Sequence, residues 1–144
     1  MEVSKPIELT RIEEIKILQN ARLIYKNDLN PVYSQENIRV QFEVTGEIRG
    51  SITCYLCVDG MDFSASEKNF IYPLFTEAMN ILLGRQISLD PELSSFQIRL
   101  SPPKINLNPM EINTKLRTMT QKYELELDSH YYQILTEYNL TALN

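Results

Sequence analysis

The sequence predicts an α+β fold in which antiparallel β-hairpins form a sheet packed against a central helix and an N-terminal helix. Residues 38–58 hold two runs of alternating apolar and polar residues around a glycine-containing turn, and residues 122–140 hold a second such pair. Residues 70–84 form an apolar stretch of helical length between the pairs. Hairpins and helices mixed in this order favour α+β over a doubly wound parallel sheet.

The N-terminal segment is predicted to be a helix over about residues 8–26, preceding a core of about residues 38–140. Its isoleucines and leucines recur at helical spacing along one face. Thr10 could cap the helix, and Glu13, three residues later, would complete a capping box.

The first hairpin joins Ile38–Val44 to Ser51–Val58 through the turn Gly46–Gly50. Apolar residues alternate with polar ones along both strands, so each strand is expected to bury one face. Cys54 and Cys57 lie on the return strand, where a spacing of three places them on opposite faces. We therefore interpret them as two ordinary strand cysteines and not as a redox or zinc pair.

The central helix contains two residues that usually limit helices. Pro73 lies either in the first turn of a helix over residues 73–84 or inside a longer helix that begins near residue 66. Gly84 is predicted to end the helix. The apolar side chains, Phe70 among them, fill most of the remaining circumference, so the helix is expected to be largely buried.

The C-terminal half is predicted to contain three further strands. Phe96–Leu100 alternates and stops at Ser101-Pro102-Pro103, because proline cannot donate to a sheet. Lys122–Asp128 and Tyr131–Leu140 then form a hairpin around a tight Ser129-His130 turn, with glutamates outside and tyrosines and leucines inside.

The composition excludes several classes of function. The 144 residues, with a net charge of −5 and no cluster of Lys and Arg, do not suit nucleic-acid binding. There is no apolar run of about 18 residues that could cross a membrane. We expect a single domain over residues 1–144, and a cytoplasmic location because no apolar signal segment opens the chain.

Polar and small residues interrupt the apolar helix in one column. At 3.6 residues per turn, Asn80 lies about 60° and Gly84 about 20° around the helix axis from Glu77. Glu77 could be an ordinary solvent-facing residue, and Asn80 could satisfy a neighbouring backbone group. Alternatively, the pair faces outward as a functional site; the residues alone leave both interpretations open.

The order of elements around this column resembles the CheC/CheX family of bacterial chemotaxis phosphatases, the CheX branch most of all. The family's signature helix carries E-x-x-N followed by a glycine, which Glu77, Asn80 and Gly84 match. The glycine-flanked turn 46–50 and the Ser101–Pro103 turn match two further features. The resemblance covers residues 38–140 in order of elements and implies a CheX-like fold.

The resemblance implies a phosphatase that dephosphorylates the aspartyl-phosphate of a CheY-type response regulator. Asn80 would orient the attacking water, and Glu77 would pair with a lysine of the regulator. The chain would need no cofactor of its own, because the regulator carries the Mg²⁺.

A non-catalytic alternative remains open. The family has Asp or Ser four residues before the glutamate, where this chain has Pro73. The alternative is a CheX-like binding module that docks a response regulator or a flagellar switch component. The resemblance also implies a homodimer through a sheet edge, for which the tyrosine-rich strand 131–140 is our candidate.

Overall fold

The structure is a computed structural model and describes residues 5–7, 9–26, 38–57, 65–91, 93, 96–106 and 119–142. These residues contain one helix and nine strands. In chain order the elements are β1 Lys5–Ile7, β2 Glu14–Leu18, β3 Ala21–Tyr25, β4 Ile38–Gly46, β5 Ile48–Cys57, α1 Ala65–Leu89, β6 Ile98–Leu100, β7 Lys104–Asn106, β8 Met119–Leu127 and β9 His130–Ala142. Val58, the last residue of the predicted return strand, lies outside the described residues.

All the strands belong to one antiparallel sheet in the order β2-β3-β8-β9-β5-β4-β6, with β1 beside β9 and β7 beside β4. The apolar side chains of one sheet face and of α1 form a common core. The predicted α+β class and the antiparallel sheet against a central helix are therefore confirmed. In the described part of the chain, no helix combines the length and apolar composition that crossing a membrane requires.

The β4–β5 hairpin has the predicted pairing, from Ile38 opposite Leu56 to Val44 opposite Gly50. Gly46 and Gly50 have φ angles of 109° and 146°. A Cβ atom on Gly50 would lie 1.8 Å from the carbonyl oxygen of Asn139. Glycine is required at this position because the neighbouring strand leaves no room for a side chain.

Both cysteines lie in β5 as free thiols, in the strand predicted for them, and both are buried. Burial raises the pKa of the Cys57 thiol to about 12. The same desolvation raises the pKa of Cys54. Neither group is a thiolate near neutral pH, so neither suits nucleophilic chemistry.

The predicted N-terminal helix is wrong, because β2 and β3 form a hairpin over its residues. Ile15, Ala21 and Leu23 are buried, a pattern that suits strand alternation as well as it suits a helix stripe. Strand β3 pairs along its whole length with β8, from Ala21 opposite Leu127 to Tyr25 opposite Tyr123. Pairing with a distant strand supplies the backbone hydrogen bonds that helix propensity alone could not outweigh.

The predicted exposed edge at residues 131–140 is also wrong. Strand β9 lies inside the sheet, with β5 on one side and β8 and β1 on the other. Its hairpin with β8 is confirmed, although the turn is Asp128–Ser129, whose φ angles are 47° and 66°. His130 begins β9 and is exposed.

The strand path of the sheet, within the described residues, ends at β2 and at β6–β7. Strands β6 and β7 pair with successive parts of β4 and are separated by the predicted break at Ser101-Pro102-Pro103. The Glu43 N–H donates to the Ser101 hydroxyl over 2.8 Å, and the Ser101 N–H donates to the Glu43 carbonyl over 2.9 Å. The short, proline-interrupted strands are typical of an edge that resists further pairing.

The helix α1 follows the longer of the two predicted courses and contains Pro73. Gly84 does not end it, contrary to prediction, because the residue keeps a helical conformation and five further residues follow. After Leu89, the Asp90 carboxylate accepts hydrogen bonds from the Thr10 hydroxyl over 2.6 Å and from the Leu93 N–H over 3.1 Å. Thr10, the predicted cap of an N-terminal helix, thus anchors the end of α1 instead.

Candidate functional site

One side of α1 is open to solvent along most of the helix. We call it the exposed face of α1, and its members recur three or four residues apart: Phe70, Pro73, Glu77, Asn80, Gly84 and Ser88. The rise of 1.5 Å per residue gives this face a length of about 27 Å. It is long enough to contact another protein with several side chains at once.

The two residues predicted to carry the chemistry lie in the middle of this face. Glu77 and Asn80 are both exposed, and neither side chain has a hydrogen bond or ion pair within the described part of the chain. Residues three apart on a helix have Cβ atoms about 5–6 Å from each other. A carboxylate and a carboxamide are thereby presented together on a rigid element, which positions groups better than a loop.

The Asn80 amide has the properties needed to orient a water molecule. It offers two N–H donors and one carbonyl acceptor without carrying charge, so it can hold water beside an anion. The exposed Glu77 carboxylate offers only acceptors and suits a lysine or arginine of another molecule. These abilities follow from the residue types and their positions. The catalytic roles of Glu77 and Asn80 stay predictions.

The opposite side of α1 is held by a polar contact in the core. Gln86 follows Glu77 by nine residues, which places it about 180° around the axis. It is fully buried, and its amide nitrogen donates to the Gln121 side-chain oxygen over 2.9 Å. The same nitrogen lies 3.2 Å from the Tyr138 hydroxyl and 3.3 Å from that of Tyr123. This contact ties the rotation of α1 to β8 and β9.

Gln121 is the centre of the buried cluster, which we call the glutamine–tyrosine network: Gln86, Gln121, Tyr123, Thr136 and Tyr138. Its side-chain oxygen accepts from the Tyr123 hydroxyl over 2.7 Å and from the Tyr138 hydroxyl over 2.9 Å. Its amide nitrogen donates to the Leu9 carbonyl over 2.8 Å. Burial raises the pKa of both phenols, so they remain protonated donors.

The sequence analysis did not predict that two large apolar side chains of α1 are exposed to solvent. Phe70, expected in the core, is 50% exposed, and Leu89 near the end of the helix is 61% exposed. The signal for Phe70 was available, because a spacing of seven residues places it about 20° from Glu77. Exposed aromatic residues beside polar ones are typical of protein-binding surfaces.

No second candidate site is found in the described residues. No group of three or more His, Cys, Asp and Glu in those ranges could hold a metal ion. A cleft on the outer face of β2 and β3 contains Arg22, whose guanidinium pairs with Glu14 over 3.0 Å and with Glu126 over 2.8 Å. The charge of Arg22 is thus neutralised within the chain, and Lys16, the other cation that lines the cleft, is a single exposed lysine that by itself makes no site.

Comparisons with known proteins find distant structural likenesses only. No protein-family model and no curated protein matches the chain. Among solved structures, CheX in its complex with CheY, BeF3 and Mg²⁺ from Borrelia burgdorferi is similar with 15% identity and a TM-score of 0.42, over 96% of this chain and 86% of that one. A CheC-like chemotactic protein from Shewanella oneidensis is similar with 10% identity and a TM-score of 0.39, over 85% of this chain and 81% of that one. The chain thus has a distant structural similarity to CheX and CheC-like chemotaxis proteins, which assigns it no activity and no site residue.

Proposed function

We propose that this chain is a phosphatase that hydrolyses the aspartyl-phosphate of a CheY-type response regulator. The observation that carries the proposal is the exposure of Glu77 and Asn80, without internal partners among the described residues, on one face of a helix fixed from behind. Had Asn80 been buried and hydrogen-bonded within the chain, it could not have served a partner. The E-x-x-N-x-x-x-G spacing on this helix supports the same proposal.

The reaction needs positioning more than strong acid–base groups. A water oxygen attacks the phosphorus, the bond between phosphorus and the aspartate oxygen breaks, and the aspartate leaves as a carboxylate while inorganic phosphate takes up the remaining atoms of water. Phosphoryl transfer of this kind depends mainly on in-line alignment and on charge stabilisation. The Mg²⁺ that stabilises the phosphoryl oxygens is part of the phosphorylated regulator, so it enters with the substrate.

The two side chains divide the work. Asn80 accepts a hydrogen bond from the attacking water or donates one to it and holds the water in line with the scissile bond. Glu77 pairs with a lysine beside the phosphorylated aspartate and fixes how the regulator docks on the helix. Phe70, on the same face, adds an apolar contact at the edge of the docking surface.

The direct test is phosphate release from a CheY-type regulator phosphorylated with acetyl phosphate in the presence of Mg²⁺. We expect the wild-type chain to accelerate release and Asn80→Ala to lower the acceleration by about a hundredfold, the loss typical of one positioned hydrogen-bonding group. Ser88→Ala, an exposed change on the same face but two turns away, is the matched control. Release at the regulator's own rate with every cognate regulator, together with measurable binding, would leave the non-catalytic docking module.

The homodimer expected from the resemblance remains a prediction and loses the edge first assigned to it. Strand β9 is paired on both sides. Among the described strands, an edge contact between copies could use β2, the interrupted β6–β7 or the short β1, each of which is paired on one side only.

A further inference from the structure

Within the described part of the chain, neither backbone conformation nor close packing requires residue 84 to be glycine. It lies inside α1, five residues before the helix ends, and it is exposed. A Cβ atom added to it would have no neighbour within 4 Å among the residues that the structure describes. Glycine in a helix interior is less stable than alanine, so the fold alone would favour a side chain here.

The direction of helical side chains shows what a larger residue at position 84 would cover. Cα–Cβ bonds in an α-helix tilt toward the N-terminus, so a side chain covers the turn before its own Cα. A side chain at position 84 would therefore lean over Asn80 and Ile81, four and three residues earlier. Asn80 is exposed and Ile81 is partly buried, so the blocked surface would be that beside the Asn80 amide.

We propose that Gly84 is an access determinant of the site, whose missing side chain leaves room for the regulator's phosphorylated loop to reach Asn80. This inference rests on the proposed function. The attacking water and the aspartyl-phosphate must both fit against the Asn80 amide. The regulator's backbone on either side of the phosphorylated aspartate must therefore come close to α1 beside Asn80. Glycine is the residue that permits such a close approach of another backbone.

Ser88 provides a matched control one turn further along the same face. Its hydroxyl donates to the Arg85 carbonyl over 3.3 Å and so folds back on the helix. A leucine at position 88 would lean over Gly84 and would end a full turn short of Asn80. Gly84→Leu and Ser88→Leu thus add an apolar side chain to the same face and differ in whether it covers the Asn80 amide.

The test compares Gly84→Ala, Gly84→Leu and Ser88→Leu with the wild-type chain. We expect Gly84→Ala to raise the melting temperature by about 2–4 °C, the shift typical of replacing a helical glycine in a chain of this size. The acceleration of phosphate release should fall with the size of residue 84, by at least about tenfold for leucine, since a misplacement of about 1 Å can cost about a hundredfold. Ser88→Leu, whose side chain covers Gly84 but ends short of the Asn80 amide, should lower the acceleration by less than Gly84→Leu does.

The outcomes separate this inference from the proposed function. If the wild-type chain and Gly84→Leu accelerate release equally, the access role is wrong and the phosphatase stands. If the wild-type chain accelerates nothing, the phosphatase is wrong, and binding of the regulator loaded with Mg²⁺ and beryllofluoride then decides the access role. Weaker binding by Gly84→Leu than by Ser88→Leu supports that role for docking, and equal binding overturns it.

Discussion

The glutamine–tyrosine network predicts that two glutamines in direct contact differ strongly in their importance for stability. Gln86 and Gln121 are both buried and share a hydrogen bond of 2.9 Å. We expect Gln121→Leu to destabilise the fold much more than Gln86→Leu. The reason is that the two substitutions leave different numbers of buried groups without a partner.

Removing the Gln86 amide leaves its neighbours paired. The hydroxyls of Tyr123 and Tyr138 can still donate to the Gln121 oxygen, over 2.7 and 2.9 Å. The loss is then that of a net hydrogen bond in the core, about 1 kcal/mol.

Removing the Gln121 amide leaves two buried groups without their partners. The Tyr123 hydroxyl loses the acceptor of its proton, and the Leu9 carbonyl loses its 2.8 Å donor. Tyr138 keeps an acceptor, because its hydroxyl also lies 3.3 Å from the Gln86 side-chain oxygen. At about 1–3 kcal/mol for each unpaired group, the loss is about 2–6 kcal/mol.

Urea unfolding followed by far-ultraviolet circular dichroism and tyrosine fluorescence measures both losses in this chain, which has eight tyrosines and no tryptophan. Equal denaturant slopes for all variants would confirm that the comparison concerns stability. Gln133→Leu, on the other face of β9, makes the same chemical change outside the network and should change stability by less than about 0.5 kcal/mol. A loss for Gln86→Leu as large as that for Gln121→Leu would show that the number of unpaired buried groups does not set these stabilities.

Three further predictions concern pH, backbone geometry and assembly. Burial raises the pKa of Glu137, and one of its carboxylate oxygens is buried without a partner among the described residues. A raised carboxyl pKa means that the folded state binds the proton more tightly than the unfolded state, so stability is lost as pH rises through that pKa. Unfolding titrations should therefore show Glu137→Gln gaining stability relative to wild type between pH 4 and pH 7. An equal difference in stability at both pH values would contradict this. Gly50→Ala should cost roughly 3 kcal/mol or more, because its φ is 146° and a Cβ would meet the Asn139 carbonyl, so an unchanged urea midpoint would count against the hairpin geometry. The homodimer predicts a species of twice the chain mass in sedimentation at micromolar concentration, and a single species of chain mass would exclude it.

Local patterns sufficed to predict the elements whose pairing partner is close in sequence. The β4–β5 and β8–β9 hairpins follow from alternation and short turns, with an error of one residue at Asp128–Ser129. The helical spacing places Glu77 and Asn80 on one face of α1, whereas the exposure of Asn80, which the residues alone left open, comes from the structure. Each of these predictions depends on neighbours within one hairpin or one helix, which a single sequence contains.

The errors arise where a distant segment decides the local structure. Residues 14–25 suit a helix or two strands, and the pairing of β3 with β8, about 100 residues later in the chain, selects the strands. The sequence of β9 alone suits an exposed edge strand, but β5 pairs with it along most of its length and makes it an inner strand. Gly84 resembles a helix stop, but the helix ends where the Asp90 carboxylate meets Thr10 from the N-terminal segment. In each case, the segment that determines the local structure lies far away in the sequence, so the neighbouring residues do not reveal it.

Hydrolysis and docking can be measured separately on the same variants, which shows whether Asn80 acts on the reaction or on binding. Decay of the phosphorylated regulator is followed at saturating protein, and binding is measured with the regulator held by Mg²⁺ and beryllofluoride. Asn80→Ala should bind within about twofold of wild type, while its acceleration of the decay falls by about a hundredfold. Glu77→Ala should bind about tenfold more weakly, because it removes one partner of an ion pair between the proteins. An Asn80→Ala chain that accelerates the decay as fully as wild type would contradict the proposed role of Asn80 in hydrolysis.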